Sequence, residues 1–269
     1  MIITHKEFLN ILPSLHDICK ITGELQINYH KTNIKYSTKS NSTPVTQVDM
    51  ESSLIITDGL KKLTPEILIV SEEDYDDTLS YDYFWLIDPL DGTNNYINNG
   101  DNFCICISLI SKSRPILGII YSPITKDFYY SFKNHGAFLI KENSSPKKIF
   151  TSKMSKSKIN KIFTSTSIRE SVLEVLSKNI LNYEFIKQSS ALKFGNIASG
   201  EGCFYPRLGP THEWDTAAGQ ALVEEAGGIV VDKFMRPLLY NKNRTFINKE
   251  FFVIADPDFD WEPIISTIL

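Results

Sequence analysis

Apolar residues recur every three or four positions near the start of the chain and predict an amphipathic helix. Thr4 and Glu7 have the spacing of a capping box, so the helix is predicted to begin after Thr4. It is predicted to end near Gly23, and Pro13 marks a point where it could kink.

A polar stretch, residues 37–42, separates this helix from the next. Thr46 and Asp49 again have the N-cap and N3 spacing of a helix start. The second helix is therefore predicted to run from Thr46 to about Lys62.

Short apolar runs separated by turn residues follow, and they predict an antiparallel meander of strands. The runs cover residues 67–70, 83–87, 103–110, 116–121, 128–130 and 137–140. Residues 141–148 are polar and are predicted to form a loop that is too short to separate independent domains.

From about residue 155 the pattern changes to alternating helical and strand-like segments, which predicts an α/β lobe. Helices are predicted at 169–177, 191–198 and 215–226, and strands at 162–164, 202–205 and 229–231. Gly227 and Gly228 should end the last helix. We therefore expect an N-terminal α+β lobe, residues 1–154, with most of the candidate metal ligands, and a C-terminal α/β lobe, residues 155–269, that adds Asp215 and substrate contacts.

The amino-acid composition argues against several classes of function. The 269 residues carry 28 Lys and Arg against 32 Asp and Glu, with a net charge of −4, and no basic block marks a nucleic-acid or polybasic membrane binder. The four cysteines lack the paired spacing of a zinc site or a disulfide framework, which favours a reducing compartment. No signal peptide or membrane-spanning run is visible, so a cytoplasmic location is expected.

Acidic residues follow two of the predicted strands, and another lies at the start of a predicted helix. For residues 72–74 alone, a solvated loop is the simplest interpretation. Asp88 differs, because an ionisable side chain directly after a buried strand is costly unless it is paired or bound to a metal. Asp215 is predicted to lie in the first turn of its helix.

The segment from Asp88 to Thr93 predicts a metal site beside a phosphate site. Pro89 should end the strand and turn the chain, which places Asp88 and Asp91 on the same side of the turn. Gly92 lets the main chain approach an anion closely, and the amides of Gly92 and Thr93 should open a helical turn.

Four carboxylates are expected to converge on one cleft: Glu72, Asp88, Asp91 and Asp215. Their mutual repulsion requires cations, and oxygen ligands without His or Cys suit Mg²⁺. Two or more Mg²⁺ ions would support hydrolysis of a phosphate ester by water. The Thr93 hydroxyl, hydrogen-bonded to Asp49 or Glu72, could orient that water and take its proton. A plain helix-capping role for Asp49 is the alternative.

Three motifs in this order carry a family resemblance: residues 71–73 (Ser-Glu-Glu), residues 85–93 (Trp-Leu-Ile-Asp-Pro-Leu-Asp-Gly-Thr), and residues 214–219 followed by 225–228. With these motifs the sequence resembles the lithium-sensitive, Mg²⁺-dependent phosphatase superfamily of inositol monophosphatases, fructose-1,6-bisphosphatases and bisphosphate nucleotidases. The likeness extends from about residue 39 to residue 256. It implies a layered α-β-α-β-α sandwich, an α/β (α+β) fold.

Further segments resemble the bacterial 3′(2′),5′-bisphosphate nucleotidases within this superfamily: residues 39–46 with Asp49, 63–65, 114–118, 121–123, 192–194 and 205–211. This likeness implies hydrolysis of adenosine 3′,5′-bisphosphate to AMP and phosphate, which recycles a by-product of sulfate assimilation. The sulfated form of that nucleotide is a second candidate substrate. An inositol monophosphatase-type sugar phosphatase is the alternative function.

The resemblance also implies roles for individual residues. Glu72, Asp88 and the Leu90 carbonyl would hold one Mg²⁺; Asp88, Asp91 and Asp215 would hold a second, and the total would be two or three ions. Glu72 and the pair formed by Asp49 and Thr93 would be catalytic. The implied substrate contacts are Glu72, Leu90, Asp91, Gly92, Thr93, Lys193, Arg207 and Asp215.

Lys193 and Arg207 would contact the second phosphate or the nucleotide, because a doubly charged substrate needs more cations than an inositol phosphate does. Lys193 could instead be an exposed helix lysine, and Arg207 could form a structural ion pair. Family resemblance also raises peripheral attachment to the cytoplasmic face of the inner membrane, for which the sequence offers no pattern.

The sequence departs from the nucleotidase pattern at residues 94–96, at residues 100–106 and at residues 212–213. Cys104 and Cys106 stand where the nucleotidases have Thr and Asn, and packing on one strand face is favoured over metal binding. A non-catalytic regulator would need a missing ligand, which is not seen. A haloacid-dehalogenase-type phosphatase needs Asp-x-Asp, whereas Asp88 and Asp91 are three apart.

Overall fold

The computed structural model describes residues 3–32, 36–38, 44–75, 82–241 and 245–269. Most of the polar stretch predicted after the first helix, and of the nucleotidase-like segment 39–46, therefore lies outside the described residues. The helices are α1 (His5–Tyr29), α2 (Gln47–Leu63), α3 (Thr93–Ile97), α4 (Glu170–Asn179), α5 (Leu192–Ala198), α6 (Ala217–Glu225) and α7 (Glu262–Ile268).

The strands fall into a larger and a smaller sheet and two short pairs. Those before residue 150 are β1 (Tyr36–Thr38), β2 (Pro44–Thr46), β3 (Leu68–Ser71), β4 (Tyr83–Asp91), β5 (Cys104–Ser111), β6 (Arg114–Tyr121), β7 (Phe128–Phe132), β8 (Gly136–Ile140) and β9 (Lys147–Ile149). The later ones are β10 (Asn160–Thr164), β11 (Tyr183–Lys187), β12 (Phe204–Arg207), β13 (Thr211–His212), β14 (Ile229–Val231), β15 (Ile247–Asn248) and β16 (Phe251–Ile254).

Helix α1 begins as predicted, with a capping box between Thr4 and Glu7. It continues through Pro13 to Tyr29, so the predicted end near Gly23 is wrong. Gly23 has another role, because a Cβ atom there would lie 2.7 Å from the Tyr121 ring. The missing side chain lets the helix approach β6 closely.

The larger sheet has the order β3-β4-β5-β6-β7-β8-β9. Its strands pair antiparallel from β4 onward, which confirms the predicted meander, and β3 is parallel to β4. The prediction of a loop at residues 141–148 is partly wrong, because β9 pairs with β8 and buries Ile149. The two lysines that precede Ile149 are exposed on this edge strand, where charge discourages further pairing.

The smaller sheet has the order β11-β10-β12-β16-β14. Strands β10, β12 and β14 match the predicted strands, whereas β11, β16 and α7 were not predicted. Helices α1 and α2 cover one face of the larger sheet, α5 and α6 lie between the two sheets, and α4 and α7 cover the far side of the smaller one. The fold is therefore the predicted α-β-α-β-α sandwich.

Helix α6 packs very closely against the larger sheet. A Cβ atom at Gly118 in β6 would lie 2.8 Å from the Ala221 methyl group and would also meet the Ala218 carbonyl. The glycine therefore sets how deeply α6 sits against the sheet. Across the described ranges, no helix combines the length and the apolar character needed to cross a bilayer.

Candidate active site

The first carboxylates of the candidate site are brought together by an irregularity in β4. Asp88 lies opposite Cys106 of β5, and Asp91 lies opposite Cys104, so three steps along β4 match two along β5. Residues three apart in a regular strand point to opposite faces, and the extra residue returns Asp91 to the face of Asp88. The prediction that Pro89 ends the strand is wrong, since a proline is tolerated at such a bulge.

Carboxylate oxygens of Glu72, Asp88 and Asp215 lie within 4.8 Å of one another. Glu72 directly follows β3, and its N–H donates to the Ile87 carbonyl at 3.1 Å, which continues the pairing of β3 with β4. Asp88 is only 2% exposed. Three of the four carboxylates predicted to converge therefore form one compact group.

The negative charges of the three carboxylates repel one another. Burial raises the pKa of Asp88 well above its usual range, and the negative charges of Glu72, Asp91 and Asp215 raise it further. Burial also raises the pKa of Asp215, with Asp91 and Glu72 adding to the effect. An all-oxygen group in which Asp88 and Asp215 resist ionisation fits a bound divalent cation, which would neutralise their charge.

Asp215 lies in a turn before α6, not in the first turn of the helix as predicted. The helix begins at Ala217, and Thr216 is its N-cap residue. Asp215 and His212 hold the turn reciprocally: the Asp215 N–H donates to the His212 carbonyl at 3.3 Å, and the His212 N–H donates to Asp215 Oδ2 at 3.2 Å. The His212 ring also stacks on Trp214 at 4.7 Å, which supports the turn.

Asp91 lies beside the three-carboxylate group but has different partners. Its Oδ2 accepts hydrogen bonds from the Ala191 N–H and, at 3.6 Å, from the Cys104 thiol. Burial raises the pKa of Asp91, while the Ala191 hydrogen bond and the charge of Lys193 work against that rise. The Ala191 contact was not predicted, because a main-chain amide leaves no signal in the sequence.

Asp49 serves the helix cap and contacts Thr93 at the same time. Its Oδ2 accepts from the Thr46 N–H at 2.7 Å and from the Thr46 hydroxyl at 2.5 Å. Its Oδ1 accepts from the Thr93 hydroxyl at 3.0 Å. Burial raises the pKa of Asp49, partly offset by the hydrogen bonds from Thr46 and Thr93. The capping and the Thr93 interpretations of Asp49 are therefore compatible.

The segment after β4 turns sharply at Gly92, which has φ +94° and is the N-cap residue of α3. A Cβ atom at Gly92 would also lie 2.8 Å from the Asn102 carbonyl oxygen, so only glycine fits. Thr93 opens α3, and its hydroxyl lies 3.0 Å from the Leu90 carbonyl oxygen. The N–H groups of Gly92 and Thr93 precede the first hydrogen bond of this helix, which the Asn95 N–H donates to the Gly92 carbonyl at 2.8 Å.

Lys193 is buried in α5, which excludes the alternative of an exposed helix lysine. Its ammonium donates to the carbonyls of Ser190 at 2.6 Å and Gln188 at 3.1 Å, and it lies 4.7 Å from the Tyr205 ring centre. Burial, aided by the charge of Arg207 and opposed by that of Asp91, lowers the pKa of Lys193 to about 8.

Arg207, at the end of β12, is held by neutral groups. Its Nε donates to the Thr211 hydroxyl at 2.9 Å, and Nη2 donates to the Pro210 carbonyl at 3.4 Å. A cleft of about 200 Å³ is lined by Lys193 and Arg207 together with Asp91 and Asp215. The two cations predicted for substrate binding thus share a cleft with two of the predicted metal ligands.

The same cleft is lined by polar loops that were not predicted. Residues 165–167, Ser-Thr-Ser, follow β10, and residues 188–190, Gln-Ser-Ser, follow β11. Because β10 and β11 are parallel, their following loops meet at one sheet edge. The polar run after β10 follows a predicted strand and is visible in the sequence, whereas β11 itself was not predicted.

The amino-acid sequence is similar to those of known proteins over nearly its whole length. Residues 11–254 match the model of the inositol monophosphatase family. The chain is 36% identical over 263 residues to the 3′(2′),5′-bisphosphate nucleotidase CysQ of Aggregatibacter actinomycetemcomitans, covering 96% of this chain and 97% of that protein.

Solved structures resemble the fold over nearly its whole length. CysQ from Bacteroides thetaiotaomicron, a bacterial member of the inositol monophosphatase family, superimposes with a TM-score of 0.74 at 26% identity and covers 91% of this chain and 97% of that one. The IMPase of Thermotoga maritima gives a TM-score of 0.78 at 22% identity, with 96% of each chain covered. The second likeness concerns the fold alone.

Proposed function

Since the chain belongs to the inositol monophosphatase family, we propose that it is a Mg²⁺-dependent 3′(2′),5′-bisphosphate nucleotidase. It hydrolyses adenosine 3′,5′-bisphosphate to AMP and phosphate, and the sulfated form of that nucleotide is a second candidate substrate. The observation that supports a substrate with two phosphates is the position of Lys193 and Arg207 in the same cleft as Asp91 and Asp215. In such a cleft, metal ions held by Asp91 and Asp215 can take one phosphate, and the positive charges of Lys193 and Arg207 can take the second.

Two or three Mg²⁺ ions would be held by carboxylates and one carbonyl. Glu72, Asp88 and the Leu90 carbonyl form one ligand set; Asp88, Asp91 and Asp215 form the second. The mutual proximity of the Glu72, Asp88 and Asp215 oxygens and the raised pKa values of Asp88 and Asp215 support a cation at this position. When bound, the ions supply Lewis-acid activation of the phosphoryl group and of the attacking water.

The proton of the attacking water passes to the chain's own residues. The Thr93 hydroxyl can accept that proton while its own hydrogen moves along the 3.0 Å bond to Asp49 Oδ1. Burial raises the pKa of Asp49 and makes its carboxylate a better proton acceptor. Glu72, whose carboxylate lies within 4.8 Å of those of Asp88 and Asp215, completes the catalytic set.

The scissile phosphate is bound beside Gly92 and Thr93. Gly92 has no side chain to block the approach of an anion, and the N–H groups of Gly92 and Thr93 lie at the start of α3. The second phosphate or the nucleotide then lies toward Lys193 and Arg207. Lys193 retains a third N–H beyond its bonds to the Gln188 and Ser190 carbonyls, and this N–H is available to a phosphate oxygen.

The four cysteines are all free thiols, which supports a reducing compartment and therefore the cytoplasm as the site of action. In that compartment the reaction would recycle a by-product of sulfate assimilation. We also expect inhibition by lithium, as the family resemblance implies.

The test is phosphate release by the purified protein with Mg²⁺, comparing adenosine 3′,5′-bisphosphate, AMP, inositol 1-phosphate and fructose 1,6-bisphosphate, with and without lithium. The expected result is a strong preference for adenosine 3′,5′-bisphosphate and little release from AMP. A preference for inositol 1-phosphate would overturn the substrate assignment and leave the metal ligands in place. No release from any of the four would overturn the enzyme assignment.

A further inference from the structure

Two thiols and one carboxylate meet next to the three-carboxylate group. Cys104 and Cys106 lie on the same face of β5, and their Sγ atoms are 3.9 Å apart. Asp91 Oδ2 lies 3.6 Å from the Cys104 Sγ atom, and ligand atoms of all three residues lie within 4.8 Å of one another. The packing interpretation of the two cysteines explains their burial but not their convergence on a carboxylate.

These separations match those between ligands of a tetrahedral ion. With bonds of about 2.3 Å to sulfur and about 2.0 Å to oxygen, two sulfurs lie about 3.8 Å apart and a sulfur and an oxygen about 3.5 Å apart. The observed distances are 3.9 Å and 3.6 Å. We propose that Asp91, Cys104 and Cys106 form a binding site for a thiophilic divalent cation such as Zn²⁺ or Cd²⁺, and that an ion bound there inhibits the enzyme.

The chemistry of the donors separates this site from the three-carboxylate group. Thiolates select soft ions, whereas Glu72, Asp88 and Asp215 offer only oxygen, which suits hard ions. Binding exchanges two S–H bonds for two metal–sulfur bonds, and both protons leave to solvent. Asp91 lines the cleft, so an ion can enter from there, and a water can complete the fourth position.

Inhibition follows because Asp91 is shared. An ion on the thiol side of Asp91 withdraws electron density from the carboxylate and so weakens Asp91 as a member of the second Mg²⁺ ligand set. Binding of the soft ion and of Mg²⁺ should therefore be antagonistic. This inhibitory effect rests on the proposed function, whereas binding of the soft ion does not.

The binding arm of the test uses Cd²⁺ or Co²⁺ alone with the full chain, followed by thiolate-to-metal charge-transfer absorbance. The expected result is a band that saturates at one equivalent and is lost in Cys104→Ser and in Cys106→Ser. Cys19→Ser and Cys203→Ser are matched controls, since both remove a buried free thiol elsewhere, and they should retain the band. Thermal melts verify that each variant folds, and Cys106→Ala replaces Cys106→Ser if that variant does not.

Absence of the band from the unsubstituted chain would overturn the proposal. Its persistence in folded Cys104→Ser and Cys106→Ser would do the same. These readouts need no substrate, so they remain decisive even if the protein fails to hydrolyse any phosphate ester.

The activity arm measures inhibition by Zn²⁺ at fixed Mg²⁺, relative to each variant's own uninhibited rate. The apparent inhibition constant should rise by more than about tenfold in Cys106→Ser, because even indirect partners of a metal ligand are worth about 10–100-fold in affinity. Raising the Mg²⁺ concentration should relieve the inhibition. Equal inhibition constants in all the cysteine variants would place the inhibiting ion on the three carboxylates and refute the coupling.

Discussion

The Thr93 hydroxyl donates a hydrogen bond to Asp49 across 3.0 Å and so joins the loop after β4 to the first turn of α2. The other oxygen of Asp49 is held by Thr46, which fixes the carboxylate from both sides. A residue that the sequence identifies as a helix cap thereby also reaches the candidate site.

Thr93→Val and Asp49→Asn should each lower kcat by about 10²–10⁴-fold, the usual contribution of a positioned acid or base. Because the two groups act on one proton in series, the double variant should lose no more than the worse single variant. Steady-state kinetics at saturating Mg²⁺ measures this. Thr4→Val is the control: it weakens the corresponding cap of α1, at a stability loss of about 1 kcal/mol, without touching Asp49 or Thr93. Losses that multiply in the double variant would contradict a shared proton path.

Metal binding should stabilise the protein more strongly as the pH rises. The pKa values of Asp88 and Asp215 are raised in the folded, metal-free state by burial and by neighbouring negative charge, so the folded state binds more protons than the unfolded chain. Their contribution to stability is therefore lost as pH increases, and Mg²⁺, which needs ionised ligands, restores it.

The increase in Tm on adding Mg²⁺ should be larger at about pH 7.5 than at about pH 5.5, measured by thermal melts. Asp215→Asn should lose most of that increase. Asp258→Asn, at a carboxylate whose side chain is 84% exposed, should keep it. An Mg²⁺ effect that is equal at the two pH values would argue against a proton-binding acidic cluster.

Arg207→Gln should raise KM for adenosine 3′,5′-bisphosphate by roughly 10–100-fold, which corresponds to about 1.5–3 kcal/mol for a hydrogen bond to a charged group. Hydrolysis of inositol 1-phosphate, if measurable, should change little, because it offers no second phosphate. Arg236→Gln is the matched control on an exposed arginine that pairs with Asp232. Equal losses on both substrates would show that Arg207 acts on the fold and not on the second phosphate.

Asp256 should make stability depend on pH in acid. Burial acts to raise its pKa, but hydrogen bonds from Lys153, from the Met154 N–H and from the Asp258 N–H outweigh it and hold the pKa below its usual range. Its contribution is therefore complete above the ordinary aspartate pKa of about 4 and is lost as pH falls through the lowered value.

Asp256→Asn should lower Tm at neutral pH, and its difference from the unsubstituted chain should shrink below about pH 3 in thermal melts. Asp258→Asn removes the more exposed partner of the same lysine and should cost little. A difference for Asp256→Asn that stays constant across the acid range would contradict the assigned pKa direction.

Gly118→Ala should lower the free energy of unfolding by about 1–3 kcal/mol, the usual cost of overpacking. The added methyl group would lie 2.8 Å from the Ala221 methyl and would meet the Ala218 carbonyl, a backbone atom that cannot rotate away. Denaturant unfolding measures the loss. Gly209→Ala is the matched control, since its Cβ would have no neighbour within 4 Å. Equal effects of the two substitutions would remove steric contact as the cause.

Local sequence patterns predicted those features that depend on neighbouring residues. The caps at Thr4 and Thr46, the meander from β4 onward and the short helix at Thr93 all follow from spacings within a few positions. The bulge in β4 was not predictable in this way, because it is defined by the offset between β4 and β5. The Ala191 amide on Asp91 and the burial of Lys193 likewise depend on contacts between distant segments.

The misplacement of Asp215 has the same origin. Helical periodicity extends back through Asp215, but the turn that holds it is fixed by main-chain bonds to His212 and by the stacking of His212 on Trp214. Periodicity alone assigns such a residue to the helix. The sequence therefore predicted that Asp215 belongs to the site, but not that it lies in a turn before the helix.

The close contact between Gly118 and α6 has a consequence for natural variation in this gene. Helix α6 begins two residues after Asp215. A side chain added at Gly118 would push α6 away from the sheet and thereby move Asp215, a candidate metal ligand. Inactivating alleles should accordingly arise where the larger sheet packs against the middle layer of the sandwich, as well as in the cleft. A genetic screen that sequenced only the acidic motifs would overlook them.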